Sequence, residues 1–268
     1  MNTRTGALAA ALGAVLSVGL AGCGEDAASP DGATSADAGP SPSTGTTAAG
    51  STPRVPAEVP TTDPNPDDFV DAIDNPYLPY VPGTRWVYKN TSSQGDERIV
   101  VTVTHRTRMV DGVRATVVRD TVTDEKGNVV EDTYDWFAQD VAGNVWYFGE
   151  DTTAYEDGKS TKEGSWEAGV DGAQAGIVML ADPRPGDQYP QEYLKGEAED
   201  RAEVLAVDAR VTVPFGSYTD MVKTADTTPL EPDVEEHKYY ASGIGFVYEA
   251  KVRGGDDRGR LVSMTTPK

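Results

Sequence analysis

A regular alternation of apolar and polar residues over Ile99–Met109 places the strongest constraint on the fold of this chain. Successive side chains of a β-strand point to opposite faces of its sheet, so the alternation predicts a strand with one buried face. Asp111 and Gly112 follow, and an Asp-Gly pair between two such runs is typical of a two-residue hairpin turn. We therefore expect an antiparallel hairpin with these residues on its buried face: Ile99, Val101, Val103, His105 and Met109.

Similar turn signals recur between runs of β-branched and aromatic residues farther along the chain. They are Lys126–Asn128, Ala142–Asn144 and Asp157-Gly158. A helical period occurs only over Asp67–Asn75, where it predicts two turns of helix. The sequence thus predicts a single β-domain over residues 67–268, which is all-β and antiparallel with little helix.

Two parts of this β-domain match each other at an offset of 103 residues. Pro82-Gly83, for example, corresponds to Pro185-Gly186 at this offset. Such self-similarity predicts two copies of one supersecondary unit, here a five-stranded meander. The predicted repeats cover 82–150 and 185–251, with an insertion over 151–184. Two meanders of this kind can form a barrel, a half-barrel or a sandwich, and the sequence leaves these three open.

The N-terminus has the layout of a secretory signal peptide, with Arg4 before an apolar stretch over Ala7–Leu20. This stretch is shorter than the roughly 20 residues that a helix needs to span a bilayer. It ends in Leu20-Ala21-Gly22-Cys23, which resembles the lipobox of bacterial lipoproteins. The resemblance implies that residues 1–22 are removed and that Cys23 carries a diacylglyceryl group.

Cys23 is the only cysteine of the chain, which agrees with a role as a lipid anchor. The alternative is a free cysteine at an ordinary signal-peptide cleavage site. Two acyl chains on one residue are sufficient for stable anchoring. We therefore expect an exported protein that is anchored to the cell membrane and faces outward, or to the outer membrane if the organism has one.

Residues 23–66 separate this anchor from the β-domain and contain almost no large apolar side chain. Their Ala, Ser, Thr, Pro and Gly content predicts a disordered linker, because such a segment cannot form a core. The formal net charge of the whole chain is −21. So acidic a protein repels phosphate groups, which excludes nucleic acid as a partner.

A second resemblance rests on two segments of the second predicted repeat. VPFGSY at Val213–Tyr218 is followed by YASGIGFV at Tyr240–Val247. This combination is similar to a module of an uncharacterised bacterial family of secreted and lipoprotein β-domains. The resemblance implies a β-fold and an envelope location, but it implies no activity.

Aromatic residues and one histidine form the candidate ligand site. Rings at alternate positions of a strand usually belong to the core of a sheet, and this remains the alternative. If the repeats instead enclose a pocket, their rings line its mouth and the inserted Trp166 lies over it. The predicted pocket residues are His237, Tyr134, Trp136, Tyr239 and Trp166.

Few residues are suited to binding a metal. A zinc site would need His105, His237 and a carboxylate, and two hydrogen-bonded inward histidines are the favoured interpretation. The acidic segments 151–157 and 196–200 lack the ligand order of a calcium-binding loop. We therefore expect no metal and no cofactor.

Together these features favour a non-enzymatic envelope lipoprotein that binds a small apolar or amphipathic ligand, or a protein partner. The opposing hypothesis is a hydrolase of envelope glycan or lipid, with Glu192, Glu197 and Glu199 acting beside His237. A structural envelope component without a ligand is the third. The chain contains no phosphate-binding loop and no serine-hydrolase elbow.

Overall fold

Alternating side chains and tight turns produce sixteen β-strands in residues 64–267, the part of the chain that the computed structural model describes. A 3₁₀ helix, Pro66–Asp68, is the one helical element in this part. The expected all-β, antiparallel fold with little helix is confirmed. In chain order the strands are β1 (Phe69–Val70), β2 (Arg85–Ser92), β3 (Gly95–Val110), β4 (Val113–Asp124), β5 (Val129–Asp140), β6 (Val145–Glu156), β7 (Lys159–Thr161), β8 (Trp166–Glu167), β9 (Gln174–Met179), β10 (Gln188–Pro190), β11 (Glu192–Tyr193), β12 (Arg201–Val213), β13 (Gly216–Thr227), β14 (Glu235–Ala241), β15 (Gly245–Arg253) and β16 (Arg258–Thr265).

Hydrogen bonds join these strands into an antiparallel sheet that curls into a nearly closed barrel. The strand order is β10-β12-β13-β14-β15-β16-β2-β3-β4-β5-β6-β9-β11, and β1, β7 and β8 pair outside this path. At one end β10 pairs with β12, and at the other end β11 pairs with β9. Because only Gln191 separates β10 from β11, residues 188–193 connect the two ends of the sheet. We call these residues the seam segment.

The predicted hairpin turns form where the sequence places them. Asp111 and Gly112 have φ angles of 46° and 78°, and Val110 pairs with Val113 across the turn. Asp157 and Gly158 have φ angles of 50° and 76° between β6 and β7. Two successive positive φ angles match the right-handed twist of the flanking strands, and Asp-Gly adopts them at low cost.

The prediction that His105 and Met109 lie on the buried face of β3 is wrong. Val103 is fully buried, but the register against β4 shifts after it, and Met109 is 61% exposed. The Thr104 hydroxyl donates to the Val117 carbonyl at 2.7 Å and accepts from the Arg106 backbone amide at 3.1 Å. These bonds stabilise a bulge, and a bulge moves the following side chains to the opposite face.

The two-turn helix predicted over Asp67–Asn75 is also wrong, because the helix ends at Asp68. Phe69 and the residue after it instead form β1 and pair with the end of β5. The Gln139 side-chain oxygen then accepts hydrogen bonds from the backbone amides of Asp74 and Asn75, at 2.9 and 2.8 Å. These tertiary bonds hold the segment extended and override its weak helical period.

The turns at the start of the two predicted repeats make corresponding hydrogen bonds. Gly83 donates its backbone amide to the Val103 carbonyl, and Gly186 donates to the Val204 carbonyl, both at 2.8 Å. In addition β4 and β13 are both 12 residues long. These correspondences support the repeat, which nevertheless stays a prediction together with its bounds.

A cluster of aromatic rings fills one part of the barrel interior. Tyr80 contacts Trp86 and Phe137, with ring centroids 5.9 and 5.0 Å apart, and Phe137 stacks on Tyr147 at 4.9 Å. All four residues are buried. Edge-on and offset contacts of this kind stabilise aromatic pairs beyond the burial of their surface. On β5 the inward position next to Phe137 is a carboxyl group, that of Asp135.

Candidate functional site

The second part of the barrel interior is lined with carboxyl groups. On β5 the buried positions run from Phe137 through Asp135 and Thr133 to Glu131. On β14, Lys238 is buried at the inward position next to Tyr240. Among residues 64–267, Lys238 is the one buried basic side chain. We call this region the acidic interior. Its buried carboxyl groups are Asp120, Glu131, Asp135, Glu150, Glu192, Asp200, Asp226, Glu236 and Glu249.

Two of these acids are bridged by one hydroxyl group. The Tyr147 hydroxyl lies 2.9 Å from an Asp135 carboxyl oxygen and 3.0 Å from a Glu150 carboxyl oxygen. A phenol has one hydrogen and can donate to only one of them. The other carboxyl group must therefore donate to the phenol oxygen, which requires that it be protonated. The geometry itself indicates a shared proton in the folded protein.

Burial raises the pKa of several carboxyl groups in this region. It raises the pKa of Glu131 to about 7, with a further increase from the nearby Asp135. Burial likewise raises the pKa of Asp135 to about 7, although its hydrogen bond with Tyr147 opposes the shift. The pKa of Asp120 is raised well above its usual value, first by burial and then by Asp135. Water solvates a carboxylate better than this interior does, so the neutral acid is favoured.

Lys238 supplies the positive charge of the acidic interior. Its ammonium lies 3.0 Å from Asp226 Oδ2, and both side chains are almost fully buried. Burial lowers the pKa of Lys238, but the negative charges of Asp226, Glu249 and Glu236 outweigh this effect and raise it well above its usual value. Lys238 is therefore charged, and it neutralises part of the carboxylate charge around it.

A separate cleft opens beside the seam segment, where the ends of the sheet meet. Its volume is about 780 Å³, which falls within the range of about 300–1,000 Å³ that is usual for small-molecule sites. Two tyrosine rings, three carboxyl groups and a single guanidinium contribute to its lining. The lining residues are Gln174, Gln188, Tyr189, Pro190, Glu192, Tyr193, Glu199, Arg201, Ala202, Glu203 and Thr227. We call it the seam cleft.

Two of the predicted pocket residues lie on the outer face of β14. The buried positions of this strand are Glu236, Lys238 and Tyr240, so His237 and Tyr239 alternate with them and point outward. His237 Nε2 lies 2.9 Å from Glu235 Oε1 on the same face. The expectation that this histidine points inward is therefore wrong.

The other three predicted pocket residues lie on β5 and β8, far from β14 in the strand order. The partly exposed ring of Tyr134 lies beside the Arg119 guanidinium at 5.5 Å, and Trp136 is covered by Arg108 at 4.0 Å. Trp166 is buried and contacts Tyr147 edge-on, with ring centroids 5.3 Å apart. None of the five predicted pocket residues lines the seam cleft.

The residues considered for catalysis and metal binding are similarly dispersed. Glu192 is buried and Glu199 partly buried, and both line the seam cleft, whereas Glu197 is exposed. The Glu199 carboxylate accepts a hydrogen bond from the Gly196 backbone amide at 2.7 Å. Within residues 64–267, no three His, Cys, Asp or Glu side chains are grouped closely enough to hold a metal ion.

The acidic interior is the feature that sequence reasoning missed. Its signal is present in the sequence, because Glu131, Thr133 and Asp135 occupy alternate positions of a strand and are followed by Trp136 and Phe137. Alternating acids in so acidic a chain are usually assigned to the solvent face. In the structure these residues lie on the buried face of β5.

The lipobox residues Leu20, Ala21 and Gly22 and the predicted lipidation site Cys23 lie outside the described residues, as does most of the predicted linker over 23–66. Within residues 64–267, no helix has the length and apolar character needed to cross a bilayer. Anchoring through Cys23 stays a prediction.

Two solved structures are similar in fold to this chain, at low sequence identity. No family model matches the chain, and no curated protein matches it in sequence. It is similar to the crystal structure of a predicted exported protein with a YmcC-like fold from Bacteroides fragilis NCTC 9343, with 14% identity, a TM-score of 0.40 and coverage of 71% of this chain and 99% of the other. It is also similar to a predicted lipoprotein from Parabacteroides distasonis ATCC 8503, with 13% identity, a TM-score of 0.35 and coverage of 73% and 100%. At these TM-scores neither similarity supports an argument about this chain.

Proposed function

We propose that this protein is a cell-envelope lipoprotein, tethered through acyl chains on Cys23, whose β-domain binds a small amphipathic ligand without transforming it. The observation that carries the proposal is the seam cleft, whose volume of about 780 Å³ suits a small molecule. The N-terminal lipobox supports the location, and the charge of the chain disfavours nucleic acid.

The lining of the seam cleft favours a cationic amphipathic ligand. Tyr189 and Tyr193 offer aromatic surface, which binds apolar groups and the faces of cations. The carboxyl groups of Glu199 and Glu203 outnumber the single guanidinium, that of Arg201. A molecule with an amine and a short apolar chain matches both properties.

The geometry supports binding better than hydrolysis. A hydrolase of the kind considered from the sequence needs His237 near a pair of carboxyl groups from Glu192, Glu197 and Glu199. His237 points outward from β14 and pairs with Glu235, whereas Glu192 is buried beside Trp166. His237 and Glu192 therefore face opposite sides of the sheet. A protein partner on the outer surface remains the second candidate.

Filling the mouth of the cleft should abolish ligand binding. Thr227 is exposed and lines the cleft, so Thr227→Trp places an indole where the ligand would lie. We expect octylamine to bind the Cys23→Ala protein more tightly than octanoate or octanol does, and Thr227→Trp to weaken that binding by at least about tenfold. Calorimetric titration measures both effects.

Thr107→Trp is the matched control, because Thr107 is also exposed but lies on β3, outside the cleft. It should leave octylamine binding unchanged. Equal weakening by both substitutions, or equal binding of all three probes, would contradict a cationic site in the seam cleft.

The anchor has its own test. Cys23→Ala removes the sulfur that the predicted lipidation requires, so the protein should move from the membrane fraction to the medium. Cell fractionation with immunoblotting measures the shift, and the unsubstituted protein in the same strain is the control. Retention of Cys23→Ala in the membrane fraction would show that the lipobox interpretation is wrong.

A further inference from the structure

A small internal cavity lies within the barrel, apart from the seam cleft. Its volume is about 20 Å³, which is enough for one particle of the size of a water molecule. It shares no lining residue with the seam cleft. The lining residues are Tyr88, Asn90, Ile99, Asp120, Phe246, Glu249 and Gly259.

A glycine on β16 leaves room for this cavity. In the sheet register Gly259 lies between Asn90 of β2 and Glu249 of β15. Inward positions of a strand normally carry a side chain that fills a barrel of this size. Here no side chain occupies the position, and the polar groups of the two neighbouring strands line the space.

Asp120 reaches this cavity without a cationic partner or a well-formed hydrogen bond. It is 2% exposed, and neither of its carboxyl oxygens has a hydrogen-bond partner of normal geometry among residues 64–267. Burying a carboxylate in this way is costly unless a cation or a set of donors compensates for the lost water.

The other polar atoms around the cavity are also acceptors. The Asn90 amide nitrogen lies 3.2 Å from Glu97 and 3.5 Å from Asp257, which fixes the orientation of the amide. Its oxygen is buried and has no hydrogen-bond partner within the described part of the chain. The Tyr88 hydroxyl donates its hydrogen to the Phe246 carbonyl at 3.0 Å, so toward the cavity it too offers only lone pairs.

We infer that this cavity is a binding site for one small monovalent metal cation of the Na⁺ class, held by oxygen atoms of Asp120, Asn90 and Glu249. In the absence of a cation, burial raises the pKa of Asp120 and favours its neutral form. A cation that enters the cavity displaces that proton and binds the carboxylate. Ionised Asp120 and Asn90 then present three unpartnered acceptor atoms, which one cation satisfies together and the two hydrogens of a single water molecule do not.

The donor set determines the class of cation. Oxygen donors select hard cations, and the absence of a cluster of three acid or histidine side chains within residues 64–267 disfavours zinc. Calcium takes six to eight oxygen ligands and magnesium usually retains several waters. A cavity of about 20 Å³ with two carboxyl groups accommodates neither arrangement.

Thermal unfolding of the full chain in a neutral detergent tests this site. At constant ionic strength, replacing choline chloride with NaCl should raise the melting temperature by several degrees, and the effect should saturate, because a ligand that binds only the folded state stabilises it. Asp120→Asn should abolish the difference between the two salts. Glu131→Gln removes a buried acid that does not line the cavity, so it should leave the difference in melting temperature between the two salts unchanged.

A second measurement keeps the inference testable if Asp120→Asn does not fold. Crystals of the unsubstituted protein grown in NaCl, at near-atomic resolution, should show an ion in the cavity whose distances to the Asp120 and Asn90 oxygens are shorter than hydrogen bonds. Equal melting temperatures in NaCl and choline chloride, or a crystal that shows water and no ion there, would overturn the inference. Stabilisation by NH₄⁺ without any by Na⁺ or K⁺ would overturn the assignment to a metal.

Discussion

Lys238→Met should lower the free energy of unfolding by about 3–5 kcal/mol, which is a large part of the stability of a typical domain. The substitution preserves much of the side-chain volume but removes the ammonium that lies 3.0 Å from Asp226. Asp226 then remains buried without its cationic partner, near Glu236 and Glu249. Urea unfolding monitored by tryptophan fluorescence measures the loss.

Lys223→Met is the matched control. Lys223 is on β13, next to β14, but its side chain is partly exposed and its ammonium lies 5.5 Å from the Tyr239 ring centroid on the outer face. Its loss should cost less than about 1 kcal/mol. The double substitution Lys238→Met with Asp226→Asn should recover part of the stability, because the uncompensated charge is then removed as well. A Lys238→Met protein as stable as the unsubstituted one would contradict the role of this ion pair.

The folded protein should become more stable on acidification from about pH 8 to about pH 5, which is the opposite of ordinary acid denaturation. Glu131 and Asp135 have pKa values of about 7 when folded, whereas unfolded carboxyl groups titrate near pH 4. Between these values the folded state binds more protons than the unfolded state. Each group's stabilising contribution is therefore fully present below its unfolded pKa and is lost as the pH rises through about 7.

The expected change is roughly 3 kcal/mol for each group, since each pKa is raised by about two to three units. Urea unfolding at several pH values and constant ionic strength measures it. Glu131→Gln and Asp135→Asn should each flatten the dependence, because an amide does not titrate. Glu125→Gln changes a solvent-exposed acid and should leave the slope unchanged. A stability maximum near pH 8 in the unsubstituted protein would contradict the protonated interior.

The sequence was sufficient where structure depends on local chemistry. The Asp111-Gly112 and Asp157-Gly158 turns require two successive positive φ angles, and residue types alone predict them. The antiparallel all-β class follows from repeating this turn chemistry between alternating strands. The closure of the sheet into a barrel did not follow, because it depends on the short pairings of the seam segment with β12 and β9.

Sequence reasoning failed where a residue's face depends on a bulge or on distant neighbours. One register shift after Val103 exposed His105 and Met109, and no residue type near it signals a bulge unambiguously. The inward acids are a different case, because a carboxyl group tolerates burial only when groups from other strands form hydrogen bonds with it or carry the opposite charge. Tyr147 and Lys238 do so here, and neither partnership is visible from the order of residues along the chain.

The seam segment gives the interior a route to solvent that does not require global unfolding. Short pairings of β10 and β11 with their neighbouring strands complete the wall there, together with a hydrogen bond from the Gln191 backbone amide to the Asp200 carbonyl. A segment held by few hydrogen bonds opens locally at a lower free energy than the whole barrel does. We therefore expect small solutes to reach the interior by local opening of this segment, without global unfolding. The rate of that opening would then set how fast the interior equilibrates with the medium.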